Sequence, residues 1–475
     1  MVFSSLPFLF RFFPIVFLLY FLLPQKLRNL LLLLASLLFY AWGEPSYLIL
    51  MIFSTTFAYA HGRIIHHFRE KGKGFLTKIF LVSSLILNLL PLFFFKYWDF
   101  FTSNINAAFS LSLPLFELAL PIGISFYTFQ TMSYCIDVYR GETEVQENYI
   151  DFATYVAMFP QLIAGPIVQY KQISSELKHR TINIEDFATG IRIFLCGLAK
   201  KVLLANNIGL LWDNIAALSD RPAATAWLGM FAYTFQIYFD FSGYSDMAVG
   251  LGRMLGFHFP QNFNYPYEAD SVTDFWRRWH ITLGSWFRDY VYIPLGGNRK
   301  GLPRQIINLL IVWSLTGLWH GASMNFILWG MYYGILLILE KTVLKRLLAK
   351  LPPSVRHIYS FLLAAFGWML FANEALPDVS SYFQSLFGLS GNGFANTETF
   401  YLLYTNAILF LLLFLGATHF PKKWCEKLSR FLLEQKKISP ILLESVSCIF
   451  FAALFLLCTA YLVDASYNPF LYFRF

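Results

Sequence analysis

Long apolar stretches recur along the whole chain and are separated by short polar ones. Many of them approach the roughly 20 residues that an α-helix needs to cross a bilayer. Such stretches must satisfy their backbone hydrogen bonds internally, as a helix does. The pattern therefore predicts an all-α, polytopic membrane protein with about ten to twelve spans. The apolar segments are residues 7–23, 30–42, 46–60, 76–95, 118–136, 150–168, 187–211, 225–250, 305–322, 325–340, 357–373, 399–417 and 440–463.

Segment 150–168 is too irregular for a simple span. It contains Pro160, Gly165 and Pro166, which free backbone groups that lipid cannot satisfy. We therefore expect this segment to be packed inside protein or to line a cavity, as a re-entrant element.

No internal repeat or low-complexity linker divides the chain, so residues 1–475 are predicted to form a single membrane-embedded domain. A basic region and a small-residue cleavage site are both missing around the first apolar segment. We therefore interpret residues 7–23 as a retained first span.

The distribution of Lys and Arg predicts the orientation. Stretches 61–78 and 341–356 carry five basic residues each, 422–437 carries six, and 374–398 carries none. Because basic residues favour cytoplasmic loops, we expect the first three stretches to be cytoplasmic and the last to be external. Counting spans back from 61–78 places the N-terminus outside.

Composition supports a membrane location. Hydrophobic residues make up 57% of the chain and charged residues only 13%, about half the share of soluble domains, and the mean hydropathy is +0.53. The net charge of +8 does not indicate a nucleic-acid partner. The basic residues lie in short loops between apolar segments, where the membrane bias places them.

Familiar soluble-enzyme motifs are absent from the sequence. The five cysteines form no Cys-x-x-Cys pair, which argues against a disulfide framework and a zinc site. Neither a P-loop nor a G-x-S-x-G elbow occurs. We expect no bound metal or prosthetic group.

His320 lies in the run 319–323, at the end of an apolar segment. From residue 305 it lies about 22 Å along a helix, because each residue advances the helix by about 1.5 Å. Dehydration at such depth disfavours the charged imidazole and leaves a neutral proton acceptor. That is what a general base for a hydroxyl requires. The alternative is a packing histidine that bonds to a neighbouring helix.

Residues 273–290 have the pattern of an amphipathic helix at an interface or a cavity mouth. Trp276 and His280 are predicted to share one face with Leu283 and Phe287. Arg277 and Arg288 fall on another face, where they would hold phosphate or carboxylate groups. Contact of the arginines with lipid headgroups is the competing interpretation.

Two carboxylates, Asp240 and Asp246, lie within the apolar segment 225–250. Buried carboxylates are costly unless they are paired or face water. They would orient a histidine or line a polar channel, or they would form ion pairs between helices.

Taken together, these motifs resemble the membrane-bound O-acyltransferase family, and specifically its bacterial branch that O-acetylates alginate. Each stretch alone is weakly diagnostic, but the ordered set is specific. The stretches that carry the resemblance are residues 1–5, 121–126, 159–166, 236–246, 275–280, 292–299 and 319–321.

The resemblance implies a funnel-shaped fold with a thin central partition, reached by the acyl donor from the cytoplasm and by the acceptor from outside. The family's essential histidine corresponds to His320, and its second polar position corresponds to His280. The candidate catalytic residues are therefore His320 and His280. The candidate substrate-binding residues are Trp319, Trp276, Arg277, Arg288, Asp240, Gln236 and Tyr238.

The expected activity is acetyl transfer from a cytoplasmic thioester, with acetyl-CoA as the donor, for O-acetylation of an exported polysaccharide such as alginate. The acceptor is the polysaccharide itself or a periplasmic acetyltransferase partner. The expected location is the bacterial inner membrane, in contact with its lipids.

Three alternatives stay open at this point. One is acyl transfer of the kind used in teichoic-acid D-alanylation, because those relatives share the architecture. Another is a transporter in which the buried histidines and acids relay protons. The third is a non-catalytic scaffold in polysaccharide export.

Overall fold

In the computed structural model, helices dominate the residues that the structure describes, which are 1–434, 438–464, 467–469 and 471. No strand occurs among these residues, which confirms the all-α prediction. The prediction of a single domain over 1–475 stays a prediction. The chain divides into two compact units: the first comprises Met1–Phe194, Met247–Gln261 and Ser285–Pro294, and the second comprises Leu195–Asp246, Asn262–Gly284 and Leu295–Phe475.

The first unit contains eight helices and most of a ninth. A π-helical turn at Phe8–Phe12 runs directly into the first of them. The helices are α1 (Phe13–Leu22), α2 (Gln25–Ala41), α3 (Leu48–Glu70), α4 (Gly74–Phe109), α5 (Ile124–Arg140), α6 (Tyr149–Ala157), α7 (Phe159–Leu162), α8 (Tyr170–Lys178) and α9 (Ile184–Ala199).

Helices α3, α4 and α5 pack against one another in this unit. Gly62 allows the close approach of α3 to α5, because a Cβ there would lie 2.5 Å from the Tyr134 ring. The buried hydroxyl of Thr131 on α5 donates a 2.7 Å hydrogen bond to the side-chain oxygen of Asn88 on α4. Hydrogen bonds of this kind between helices satisfy polar groups for which lipid offers no hydrogen-bond partner.

Segment 150–168 is broken and buried, as its prolines and glycine predict. Helix α6 ends at Ala157, and the short α7 follows one residue later. Every residue from Phe159 to Pro166 is buried. The N–H of Phe159 donates to the Ser36 hydroxyl at 3.0 Å, and the Gln161 amide donates to the Tyr155 carbonyl. These bonds supply the backbone and side-chain partners that lipid cannot.

Near the start of the second unit, a π-helical stretch, Lys200–Ala205, continues α9. Another π-helical stretch, Glu340–Leu344, joins two of its helices. Its helices, of which α11 and α13 extend into the first unit, are α10 (Asn206–Ala216), α11 (Ala223–Met254), α12 (Val272–Arg278), α13 (Ile281–Phe287), α14 (Gly301–His320), α15 (Met324–Leu339), α16 (Lys345–Leu348), α17 (Pro353–Ala372), α18 (Leu376–Leu386), α19 (Thr397–Gly416), α20 (Phe420–Glu434) and α21 (Pro440–Asp464).

Six helices among the described residues are long and apolar enough to cross a membrane, fewer than the predicted ten to twelve. The other predicted segments are shorter, broken or more polar, as 150–168 shows. An additional apolar helix, Phe8–Leu22, has 15 residues. The six are Leu48–Glu70, Gly74–Phe109, Met324–Leu348, Pro353–Ala372, Thr397–Gly416 and Pro440–Asp464.

The predicted orientation is testable at the turns that the structure defines. Lys71, Lys350 and Glu374 are exposed and lie outside the helices, whereas 435–437 of the third basic stretch lie outside the described residues. Single cysteines at these three positions, in a background without the native cysteines, can be labelled with a membrane-impermeant maleimide. We expect labelling at 374 in intact cells and at 71 and 350 only after permeabilisation, because basic loops stay cytoplasmic. Labelling of 350 but not of 374 in intact cells would reverse the orientation.

Candidate active site

His320 is the last residue of α14. Helices α14 and α15 cross closely because two glycines lie at their contact. A Cβ on Gly317 would collide with the carbonyl oxygen of Phe326, and a Cβ on Gly330 would collide with that of Trp313. The small residues at this crossing therefore fix the end of α14, and with it the backbone of His320.

Aromatic rings surround the His320 imidazole, which is 7% exposed. The centroids of Trp319 and Trp329 lie 4.9 Å from it, and that of Phe371 lies 5.1 Å away. A cavity of about 20 Å³ adjoins the imidazole, which is room for about one water molecule. Its lining is Ile237, Asp240, Phe241, Trp279, His320, Trp368, Phe371 and Leu471.

Asp240, which also lines this cavity, is held by a buried ion pair. Its carboxylate lies 2.5 Å from Lys201 Nζ, and both side chains are almost fully buried. The N–H of Leu471 donates to the second carboxylate oxygen at 2.9 Å, and Lys201 Nζ donates to the carbonyl of Pro469. The structure therefore supports the ion-pair interpretation of Asp240. The pair also anchors described residues near the C-terminus beside His320.

Asp246 forms a separate pair with Lys200 at 2.7 Å. About a third of the Asp246 side chain and a quarter of the Lys200 side chain are exposed. This pair is therefore less buried than the pair of Asp240 and Lys201, and ion pairing accounts for both acids of the segment.

His280 lies at a break between two short helices, not within the continuous helix predicted for 273–290. Helix α12 ends at Arg278, and α13 begins at Ile281. His280 has φ +44°, a left-handed conformation that a continuous helix does not contain. The predicted common face of Trp276, Leu283 and Phe287 with His280 was therefore wrong.

Asn262 causes this break by capping α13 from a distant part of the sequence. Its backbone carbonyl accepts the N–H of Ile281 at 2.9 Å. Its side-chain oxygen accepts from the backbone N–H of Thr282 at 3.2 Å and from the Thr282 hydroxyl at 2.8 Å. Free N–H groups at a helix start need such acceptors. This tertiary contact outweighs the local helical periodicity.

The same oxygen defines the tautomer of His280. His280 Nδ1 lies 3.0 Å from Asn262 Oδ1. This side-chain atom of Asn262 accepts a backbone N–H, so it is the amide oxygen and not the amide nitrogen. An oxygen without a proton can only accept, so His280 Nδ1 must carry the proton of this hydrogen bond. In the neutral ring, Nε2 then holds a lone pair and is a proton acceptor.

Burial keeps His280 neutral. The side chain is 2% exposed, and desolvation lowers the pKa of His280 to about 3. Within the described part of the chain, Nε2 has no hydrogen-bond partner. His280 therefore offers a buried nitrogen that accepts, but does not donate, a hydrogen bond.

Trp319 contacts both candidate histidines. Its ring centroid lies 6.0 Å from that of His280 and 4.9 Å from that of His320. Phe241, which lines the small cavity, also meets the His280 ring edge-on at 4.8 Å. The structure thus brings His280, Trp319, His320 and Asp240 into one contiguous buried group.

Comparisons with known proteins show the family of this chain. Residues 142–379 match the membrane-bound O-acyltransferase family, MBOAT. The chain belongs to this family. It is 43% identical over 394 residues to the probable alginate O-acetylase AlgI of Pseudomonas aeruginosa, covering 82% of this chain and 75% of the relative.

More distant relatives have other named substrates. The peptidoglycan O-acetyltransferase of Helicobacter pylori is 35% identical over 427 residues, covering 82% of this chain and 80% of the relative. The teichoic acid D-alanyltransferase of Bacillus subtilis is 28% identical over 267 residues, covering 54% and 66%. The chain is therefore a multi-pass membrane acyltransferase, and His320 and His280 lie inside the matched family region.

The other predicted aromatic and amide residues belong to the second unit. Trp276 packs edge-on against Trp313 at 4.7 Å and Tyr333 at 4.8 Å. Tyr238 and Gln236 are buried on α11, with the Tyr238 ring 6.2 Å from that of Trp279. None of Trp276, Tyr238 and Gln236 lines the small cavity. Their role in substrate binding stays a prediction.

The two predicted arginines have different surroundings. Arg277 is exposed and lines a larger cavity in the second unit. Arg288 lies in the first unit, where it pairs with the adjacent Asp289 at 2.8 Å and is 60% exposed. They lie on separate helical segments and do not share the helical face that their spacing predicts.

Sequence reasoning missed Asn262 and Lys201. Lys201 had a usable signal, because it is an ionisable residue within the apolar segment 187–211. Asn262 had none, because its role depends on contacts with residues about 20 positions away.

Proposed function

We propose that this acyltransferase moves an acetyl group from a cytoplasmic thioester, acetyl-CoA, for O-acetylation of an exported polysaccharide such as alginate. The reaction takes place at the bacterial inner membrane. The acceptor hydroxyl belongs to the polysaccharide or to a periplasmic acetyltransferase partner. The carrying observation is the buried His320 in an aromatic cavity, in a chain that is 43% identical to a probable alginate O-acetylase.

In the proposed step, His320 accepts the hydroxyl proton as the hydroxyl oxygen attacks the thioester carbonyl. A C–O bond forms and the C–S bond breaks. The departing thiolate takes the proton back from His320, which returns the histidine to its neutral state. The aromatic surroundings and the small cavity leave room for about one water molecule, which limits hydrolysis of the thioester.

His280 is proposed to accept a hydrogen bond through Nε2. The donor is the hydroxyl of the acceptor or another hydrogen-bond donor held in the site. Its protonated Nδ1 is already committed to Asn262. A neutral His280 in this tautomer therefore does not donate to an oxyanion, and we assign it a role in orienting the acceptor.

Relatives of this chain are named for alginate, peptidoglycan and teichoic acid. We favour an alginate-type polysaccharide, because the alginate relatives have the higher identity over most of the chain.

The deciding experiment uses the purified protein in lipid nanodiscs with acetyl-CoA labelled in the acetyl group. We expect time-dependent loss of the labelled thioester, and transfer to added polysaccharide or to the periplasmic partner. Alginate, peptidoglycan fragments and teichoic acid serve as parallel acceptors. Intact thioester under all conditions would reject the enzymatic proposal and leave the transporter and scaffold alternatives.

Replacement of His280 by Ala should impair transfer less than loss of His320, because an orienting residue contributes less than the proton acceptor. We expect a loss of about tenfold to 10²-fold. The measurement is transfer rate per folded protein, with size-exclusion profile and thermal unfolding as controls. Wild-type activity in His280→Ala would remove His280 from the site.

A further inference from the structure

The second unit contains a cavity of about 480 Å³ away from the small pocket at His320. Four cationic side chains line it: Arg277, Lys341, Lys345 and Arg356. Among the described residues, two carboxylates, Asp270 and Glu340, line it as well. The cavity therefore carries a surplus of positive charge.

Both carboxylates are already engaged. Asp270 pairs with Arg356 at 3.1 Å. Glu340 accepts the backbone N–H groups of Val272 and Thr273 at 2.6 and 2.8 Å, which caps the start of α12. Neither acid is within ion-pair distance of Arg277 or the two lysines.

Arg277, Lys341 and Lys345 have no carboxylate within 4.0 Å among the described residues, and all three are exposed. Lys341 belongs to the π-helical stretch Glu340–Leu344, and Lys345 begins the helix after it. Short π-helical stretches often occur at functional sites. Three unpaired cations that face one cavity form a receptor for an anion with several oxygens.

The position of this cavity relative to His320 is set by two shared helices. On α14, Leu309 lines the larger cavity and His320 lies eleven residues further along, about 16 Å by helical rise. On α17, Arg356 lines the larger cavity and Trp368 lines the small one twelve residues later, about 18 Å away. Both helices give a similar separation.

We propose that this cavity binds a phosphate ester through Arg277, Lys341 and Lys345. We assign the cavity as the entry site of the acyl donor, and this assignment rests on the proposed function. The cavity would hold the phosphates at one end of a long thioester, and the reactive carbon at the other end would reach His320. An anionic phospholipid headgroup offers the same chemistry. The geometry favours the soluble donor, because the two cavities lie along the same helices.

The test measures binding, not turnover, so it stays informative if acetyl transfer itself fails. Coenzyme A and phosphate-free pantetheine are titrated into protein in phosphatidylcholine nanodiscs. The variant is Lys341→Gln/Lys345→Gln, and the matched control is Arg346→Gln, a neighbouring exposed arginine that does not line the cavity. We expect coenzyme A affinity to fall about tenfold or more for each lost charge-assisted contact. Pantetheine binding should not change.

A second arm detects a lipid ligand. Native mass spectrometry measures retention of phosphatidylglycerol by the same proteins. One outcome is that the wild type does not bind coenzyme A and that the double variant, but not the control, retains less phosphatidylglycerol. This outcome would support the phosphate-ester site, with a lipid headgroup as its ligand. Equal behaviour of variant and control in both arms would overturn the site. If the double variant does not fold, Arg277→Gln, on a different helix, gives the same comparison, and Lys341→Arg/Lys345→Arg should retain binding.

Discussion

His320→Ala should lower acyl transfer by about 10²–10⁴-fold, equivalent to roughly 3–5 kcal/mol of barrier, which is the usual contribution of a positioned base. His320 ends α14, is 7% exposed, and borders a cavity that has room for one water molecule. Water in the place of the imidazole is a much weaker base near neutral pH. Acetylation of the polysaccharide in cells should therefore be undetectable.

His320→Asn separates the catalytic role from a structural one. Asparagine retains hydrogen bonding and much of the volume, but it accepts no proton near neutral pH. We expect it to be nearly as inactive as alanine while the protein still inserts. The measurement is acetyl content per unit of membrane-inserted protein for the wild type and both variants. Normal acetylation by His320→Asn would reject the general-base assignment.

The sequence predicted that His320 lies at the end of a long apolar helix, because that position depends on a local pattern. The apolar segment 305–322 corresponds to α14, Gly301–His320, and the residues after it break the helix. A continuous helix converts residue spacing directly into distance. The same reasoning located the broken segment 150–168, because Pro and Gly limit the backbone whatever surrounds them.

The surroundings of His280 were not predictable from local pattern. The apolar spacing of residues 273–290 fits a helix, but Asn262 caps α13 from outside that window and leaves His280 at φ +44°. The left-handed backbone costs about 1–3 kcal/mol and persists only when neighbouring contacts impose it. Such a contact is a property of the folded chain, not of the spacing.

Fewer helices have the length and hydropathy of a membrane span than the sequence predicted, because long helices also carry polar side chains. Helix α11 is an example: it has 32 residues, but Gln236, Asp240 and Asp246 lie within the predicted segment 225–250. Such side chains lower the hydropathy of a helix without shortening it.

The buried pair of Lys201 and Asp240 leads to the second large prediction. Asp240→Asn removes one charge and leaves Lys201, 2% exposed, without its counter-charge. Loss of one partner from a buried ion pair costs about 3–5 kcal/mol, because the remaining charge stays desolvated. We expect a large fall in the thermal unfolding temperature of the detergent-solubilised protein. Asp246→Asn is the matched control, because its pair with Lys200 is partly exposed and should contribute only about 0–1 kcal/mol.

The double variant Lys201→Met/Asp240→Asn tests whether the remaining buried charge causes the loss. It removes the ammonium of Lys201 and keeps an amide oxygen that can accept the N–H of Leu471. Replacing a buried pair by neutral groups is often close to neutral in stability, although here the carbonyl of Pro469 loses its donor. We therefore expect the double variant to recover more than half of the loss in Asp240→Asn. A double variant as unstable as the single one would show that the remaining charge of Lys201 is not what destabilises Asp240→Asn.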